Sequence, residues 1–302
     1  MDDHPDPGPG PGTDLPIVVG VDGSEPSLRA VDWAADEAVL RGVPLRLVYA
    51  SLWERYEGTS LADDHDKPSE QVRAEDIVDT AARRAHRRRP DVKISTDVLA
   101  EEPEYALVRE SRSASVLVTG TRGRSGLAEA LLGSVSLTVA GHAQCPMVVV
   151  RGDGDNQDRT SAHGRIVVGI GEKPAGSAAV RFAFDEARRR GVQVEAVRAW
   201  RWPARESTDH ALMSGEPARL HEQQAVEALD AALQDVPADV ASRRRTVEGP
   251  TRTVLVDASR GADLLVVGAR RRPGHYGLQL GRVAHGVLHH SPCPVVVVPE
   301  HA

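Results

Sequence analysis

Aromatic residues are scarce, at 3% of a 302-residue chain. Any core must therefore be built from Val, Leu and Ala, and hydrophobic residues reach 40%, enough for ordinary cores. Cysteine is almost absent. Cys145 and Cys293 each precede a Pro and a run of valines, which reads as packing at the entry to a buried strand rather than a disulfide or a metal site. No apolar run approaches the ~20 residues of a membrane-spanning helix. The N-terminus lacks the basic start and apolar stretch of a signal peptide. A cytoplasmic protein without membrane association is expected. Positive charge is in deficit, with a net charge of −7, which argues against general nucleic-acid binding. No Gly-Lys-Ser/Thr loop, paired carboxylates or Ser–His–Asp arrangement is present at a credible spacing, and the histidines are scattered without metal-ligand spacing. His142, near a predicted helix end, reads as capping or packing. A non-enzymatic protein with no metal of its own is expected.

What is present is organised in two copies. Residues 1–14 carry four Asp, no Lys or Arg, and alternating Pro and Gly; such a tail cannot bury apolar surface and is expected to be disordered. Val18-Val19-Gly20-Val21 returns as Val167-Val168-Gly169-Ile170, Trp33-Ala34-Ala35-Asp36-Glu37-Ala38 as Phe182-Ala183-Phe184-Asp185-Glu186-Ala187, and Arg41-Gly42-Val43 as Arg190-Gly191-Val192, at a constant offset of 149. Cys145-Pro146 and Cys293-Pro294 follow at 148. A duplicated domain is the economical reading. The copies span 15–152 and 164–302, with a polar linker over 153–163.

Within the first copy, β-rich runs alternate with helical patterns. Strands are predicted near 15–21, 44–50, 92–99, 115–119 and 147–151, and helices near 26–41, 69–88, 103–112 and 134–143. Ala30, Trp33, Ala34 and Ala38 give the first helix an apolar face, interrupted at Glu37, and Gly42 lies where a helix C-terminal glycine is wanted. The alternation argues for an α/β fold with a parallel sheet covered on both faces. It does not give strand order. Arg83-Arg84, Arg87-Arg88-Arg89 and Arg188-Arg189-Arg190 read as cations complementing helix C-termini. Arg243-Arg244-Arg245 reads as charge guarding a strand edge.

The most informative stretch is Val116-Leu117-Val118-Thr119-Gly120-Thr121-Arg122-Gly123, then nine residues, then Gly133-Ser134. A buried strand runs into glycines and then a helix start. Such a junction can offer backbone N–H groups and a positive helix end to a phosphate. Glycine allows close approach to the main chain. Ser134 sits where an N-cap is wanted, with a hydroxyl that can also reach a phosphate oxygen. Across the crevice, the first strand ends in Gly20-Val21-Asp22. A carboxylate there can accept from ribose hydroxyls or an adenine amine; the plainer reading is an Asx turn into the first helix.

The spacing Gly-x-x-Gly-x9-Gly-Ser resembles the ATP-binding signature of universal stress proteins. Ile17 through Ser24 is similar to that family's first strand and acidic turn, and Cys145 through Val150 to its last strand. The resemblance implies two repeated doubly wound, Rossmann-like domains, each a five-stranded parallel sheet of order 3-2-1-4-5, with the ligand crevice between strands 1 and 4. It implies that the last strands pair the two halves edge to edge, leaving other surfaces for a homodimer. It carries nucleotide contacts onto Asp22, Gly120, Gly123, Gly133 and Ser134 by direct match, and onto Gly20, Val21, Ala50, Thr119, Arg122, Val135 and Ser136 by alignment. Ala50 would read the adenine edge, Gly120 and Gly123 would approach the ribose and first phosphates, and residues 133–136 would receive the outer phosphates. The implied ligand is ATP with Mg2+.

The second copy has lost this signature. Gly268-Ala269-Arg270-Arg271, nine residues, then Gly281-Arg282 stands in its place, and Ile170-Gly171-Glu172-Lys173 replaces the acidic turn. Arg at 271 disfavours a positive backbone dihedral and blocks close approach. The second half is expected not to bind ATP in the family manner, its site filled by long side chains. The leading functional reading is an ATP-binding, nucleotide-responsive regulator of the stress response that acts on an unidentified protein partner. The alternatives are a protein-interaction module with vestigial pockets and a weak ATPase.

Overall fold

The computed structural model describes residues 15–52, 70–121, 132–151, 163–171, 177–201, 216–270 and 280–300. The tail, most of the linker, Arg122, Gly123 and Arg271 lie outside them. The first half runs β1 (Ile17–Gly20), α1 (Glu25–Arg41), β2 (Leu45–Ala50), α2 (Glu70–Arg88), β3 (Ile94–Leu99), α3 (Pro103–Glu110), β4 (Val116–Gly120), α4 (Ser134–His142) and β5 (Met147–Val150). The second runs β6 (Arg165–Gly169), α5 (Ala178–Arg190), β7 (Gln193–Trp200), α6 (Glu216–Ala232), β8 (Ser242–Glu248), α7 (Thr251–Ser259), β9 (Leu264–Arg270), α8 (Arg282–His290) and β10 (Val295–Glu300).

These strands form one ten-stranded sheet of order β3-β2-β1-β4-β5-β10-β9-β6-β7-β8. Each half is parallel and follows the implied 3-2-1-4-5 order. The halves meet where β10 pairs antiparallel with β5, Val296 opposite Val148. Central strands such as β1 and β5 are apolar runs buried on both faces, whereas the edge strand β8, with Arg243, Arg244 and Arg245, is largely exposed. Along β1, Ile17 and Val19 enter one core and Val18 the other. Helices α1, α2, α5 and α6 bury their apolar residues in the first core, and α3, α4, α7 and α8 in the second. Both cores contain residues of both halves.

Helix α1 begins at Ser24, whose Oγ accepts from Ser27 N–H at 3.4 Å, and stops at Gly42 with φ of 66°. Val43 N–H then reaches back to Ala38 O at 3.1 Å, closing the end. Helix α3 stops short of its predicted end and tightens into a 3₁₀ turn over Ser111–Ser113. Ser111 Oγ donates to Val108 O at 2.6 Å there, competing with the regular ladder.

The arginine runs do more than complement helix ends. Arg84 holds Asp32 at 2.6 Å and Glu25 at 3.1 Å, while Arg88 and Arg89 hold Asp36 at 2.7 and 2.6 Å, clamping α2 to α1. Arg190 is no solvent-facing terminus either. It bonds Glu37 of the other half at 2.5 Å, as Arg41 bonds Glu186 at 2.6 Å. Each arginine also bonds the glutamate one turn before it on its own helix. Both carboxylates are fully buried, so the residue that interrupts the apolar face of α1 belongs to a buried cluster of two glutamates and two arginines between α1 and α5, with Arg189 at its edge 3.8 Å from Glu186. Arg41 stacks over Phe182 and Arg190 over Trp33, at 5.2 and 5.6 Å. Cys145 and Cys293 are buried free thiols at strand entries, as expected.

Candidate nucleotide site

The carboxyl ends of β1 and β4 diverge around a cavity of about 530 Å³. Ten of the twelve predicted site residues line it: Gly20, Val21, Asp22, Ala50, Thr119, Gly120, Gly133, Ser134, Val135 and Ser136. The other two, Arg122 and Gly123, lie outside the described residues. The cavity sits where the sheet order reverses between β1's two neighbours, the crevice that doubly wound sheets offer a ligand.

Asp22 lies on one wall. Its Oδ1 accepts from Ser24 N–H at 2.9 Å and from Ser24 Oγ at 2.6 Å, an Asx turn that leads into α1. Oδ2 takes no donor among the described residues, so the turn uses one oxygen and leaves the other as an acceptor.

The opposite wall is the start of α4. Its N-cap is Gly133 (φ −71°, ψ 154°), not Ser134, which is the first helical residue. The helix closes its first bond when Leu137 N–H donates to Gly133 O at 3.1 Å. Gly133 N–H is already given to Thr121 O. The amides of Ser134, Val135 and Ser136 therefore form the open first turn, without protein acceptors among the described residues. The Ser134 hydroxyl has no partner among the described residues. Ser136 is engaged: its Oγ donates to Gly120 O at 2.9 Å and accepts from Thr119 Oγ1 at 3.1 Å. That pair pins α4 to the end of β4 and leaves Ser136 only its N–H to offer.

Gly120 has a structural reason to be glycine that the motif did not reveal. A Cβ there would stand 2.5 Å from Pro26 O, so the bare Cα lets the first turn of α1 lie directly against β4. At Gly20 a Cβ would stand 2.9 Å from Leu107 Cδ1.

Sequence reasoning missed several lining residues. Ser24, Ser27 and Thr121 add polar groups, and Val48, Pro103, Leu107 and Leu132 add an apolar wall. Ser24 and Thr121 flank motif residues and could have been read from them; Leu107 and Pro103 come from α3, brought in only by the fold. His142 sits outside this lining and uses Nδ1 on Thr138 O at 2.8 Å, within its own helix.

The arrangement suits an anion with an apolar, planar group attached. Three open amides and a hydroxyl can take phosphate oxygens, the apolar wall can cover a base, and Asp22 Oδ2 can accept from a sugar or amine. Among the described residues no group of three or more His, Cys, Asp or Glu can hold a metal ion. A hard cation there would arrive on phosphate oxygens and keep water ligands. No helix among the described residues is long and apolar enough to cross a membrane.

The universal stress protein family model matches residues 15–151 and again 163–299. A universal stress protein of Mycobacterium tuberculosis is 32% identical over 308 residues, covering 94% of this chain and 97% of that protein. One from Mycolicibacterium smegmatis is 31% identical over 305 residues, covering 95% and 97%. The crystal structure of a universal stress protein from Archaeoglobus fulgidus superposes with a TM-score of 0.66 at 18% identity, covering 96% of this chain and 99% of that one.

Proposed function

The chain belongs to the universal stress protein family, and from that membership we propose that its first half binds ATP, accompanied by Mg2+, and that the protein is a nucleotide-responsive regulator rather than a catalyst. The observation that carries this reading is the facing of three open first-turn amides on α4 and a half-committed carboxylate at Asp22 across one cavity. The domains would be 15–152 and 164–302, joined by 153–163. ATP binding would stabilise the glycine segment and bias the surface a protein partner reads. We place this action in the cytoplasm, and a homodimer through surfaces other than β5 and β10 is part of the same reading.

Isothermal titration of nucleotide-free protein with ATP and Mg2+ tests it. One site per chain is the expected result. Two sites would mean that the second half had been misjudged. No binding would move the protein to the alternative, an interaction module, which the substitutions at 271 and 282 favour for the second half alone. Gly123→Arg, the residue carried at 271, is expected to abolish binding without lowering the melting temperature. Micromolar binding retained in that variant would remove the glycine segment from the site. ATP conversion to ADP, followed over hours, is expected to stay at background; turnover lost in a Gly133 variant would instead point to a weak ATPase.

A further inference from the structure

The helix starts at α4 and α8 are built alike but held differently. Gly120 corresponds to Gly268 and Gly133 to Gly281, at the offset of 148 that also relates the cysteines. Both N-cap glycines are extended, with φ and ψ of −71° and 154° at Gly133 and of −63° and 152° at Gly281. In the first half three bonds then tie the helix start to the end of β4. Thr119 Oγ1 donates to Ser136 Oγ at 3.1 Å, Ser136 Oγ donates to Gly120 O at 2.9 Å, and Gly133 N–H donates to Thr121 O. In the second half both hydroxyls are gone together. Val267 stands for Thr119 and Ala284 for Ser136, and both are buried. The packing agrees with this equivalence: a Cβ on Gly20 would stand 3.5 Å from Thr119 Cγ2, and one on Gly169 would stand 3.5 Å from Val267 Cγ1. Nor does Gly281 N–H bond Ala269 O, the counterpart of the Gly133 tie. The second half therefore forms the same helix cap without any of the three bonds. A fold that dispenses with the hydroxyl pair in one half does not need it in the other, since replacing both partners of a buried hydrogen bond by apolar groups is nearly neutral. The pair has a use where distance matters: N–H groups hold an acceptor well only within about 2.7–3.2 Å. Groups that bind a ligand must be kept within about 0.5 Å of the productive place by the hydrogen bonds behind them.

We propose that Thr119 and Ser136 are positioning residues, whose hydroxyls take no ligand but fix the open amides of Ser134, Val135 and Ser136 at the distance from Gly120 that a phosphate group requires. This role rests on the nucleotide reading of the first cavity. It separates the two halves by a feature buried behind the glycine signature: the second half lacks the support for its amides as well as the glycine at 271 and the serine at 282.

Two measurements on the full-length protein test it, with Thr119→Val, Ser136→Ala and their double variant, which carries the second half's own pair. Amide hydrogen exchange without ligand reads the tie itself. In the double variant the Gly133 N–H should exchange at least tenfold faster than in the parent chain, while Val118 in β4 and Val139 in α4 keep their rates. Unchanged exchange at Gly133 would overturn the proposal, whether or not a nucleotide binds. Calorimetric titration with ATP and with adenosine reads the consequence. The double variant should bind ATP at least tenfold more weakly and adenosine as the parent does, because only the phosphates meet α4; an equal loss for both ligands would overturn the role. Adding Thr119→Val to Ser136→Ala should cost no further ATP affinity, because Thr119 acts through Ser136. A further loss would mean that Thr119 touches the ligand itself, against the proposal. Thr119→Ser, which restores the hydroxyl, should recover the affinity lost in Thr119→Val, and failure to recover it would count against the hydroxyl. A parent chain that binds neither ATP nor adenosine would remove the nucleotide reading, and exchange at Gly133 would then decide the tie alone.

Discussion

Asp22 gives one carboxylate oxygen to Ser24, and the other takes no donor among the described residues, so different substitutions separate the turn from the proposed nucleotide contact. Asp22→Asn retains an oxygen for the Asx turn but replaces the free acceptor with a donor. ATP affinity should fall by about 1–2 kcal/mol while the melting temperature holds; titration calorimetry and a thermal melt measure the two. Asp22→Ala should lower both, and an unchanged dissociation constant in either variant would confine Asp22 to the turn. The buried thiols are a second residue-scale case. Burial pushes Cys145 up to about 12 and Cys293 up to about 11, whereas an unfolded thiol ionises near ~8.5. Both folded values are raised, so the thiols' contribution is complete below the unfolded value and is lost as pH rises through the folded ones. Between pH ~8.5 and the folded values each thiol should remove about 1.4 kcal/mol of stability per pH unit. Urea titrations across this range should show a shallower slope in the Cys145→Ala, Cys293→Ala double variant. Neither thiol of the native protein should alkylate at pH 8.

At the scale of elements, the contact between α1 and α5 rests on four charges in an apolar setting. Burial and the facing Glu186 carboxylate push Glu37 up; against the same burial, Arg190 and Arg41 hold Glu186 down. The pair therefore takes up its two protons in separate steps. Arg190→Ala leaves two buried carboxylates with Arg41 and the partly exposed Arg189, 3.8 Å from Glu186, and should destabilise the protein by about 3–5 kcal/mol. Replacing all four together with Leu and Met should cost far less, because no charge is then left unpaired; urea denaturation of the two variants decides. None of this was legible in the sequence. A glutamate in an apolar stripe reads as an interruption, because its partners lie on the equivalent helix of the other repeat. The elements themselves were legible, since valine runs and a left-handed glycine are local signals, although the N-cap expected at Ser134 falls one residue earlier, at Gly133. The candidate site was legible as far as its glycine spacing and Asp22. Gly120 was read as room for a phosphate, but the bare Cα admits Pro26, a contact made by the fold and not by the motif.

For the whole molecule, the decisive fact is that both cores cross the β5–β10 junction. Two repeats of this size could unfold one after the other. Here a half that opened would strip apolar cover from its neighbour and break the charge cluster. Urea unfolding followed by far-ultraviolet circular dichroism and by tryptophan fluorescence should give one coincident transition. Arg190→Ala should move the curves of both probes together. Two resolved transitions would mean that the halves are held only loosely.

The antiparallel seam between β5 and β10 has a consequence for how such a chain changes over generations. When two identical copies meet about a two-fold axis, every substitution is made on both sides at once and must be tolerated twice. Joined in a single chain, the two sides mutate one at a time. One half can keep Pro26 on its glycine while the other lays a glutamate on the matching one, and the glycine–serine spacing can change on one side while it stays on the other. The seam lets the changed copy persist as scaffold for the copy that keeps the spacing.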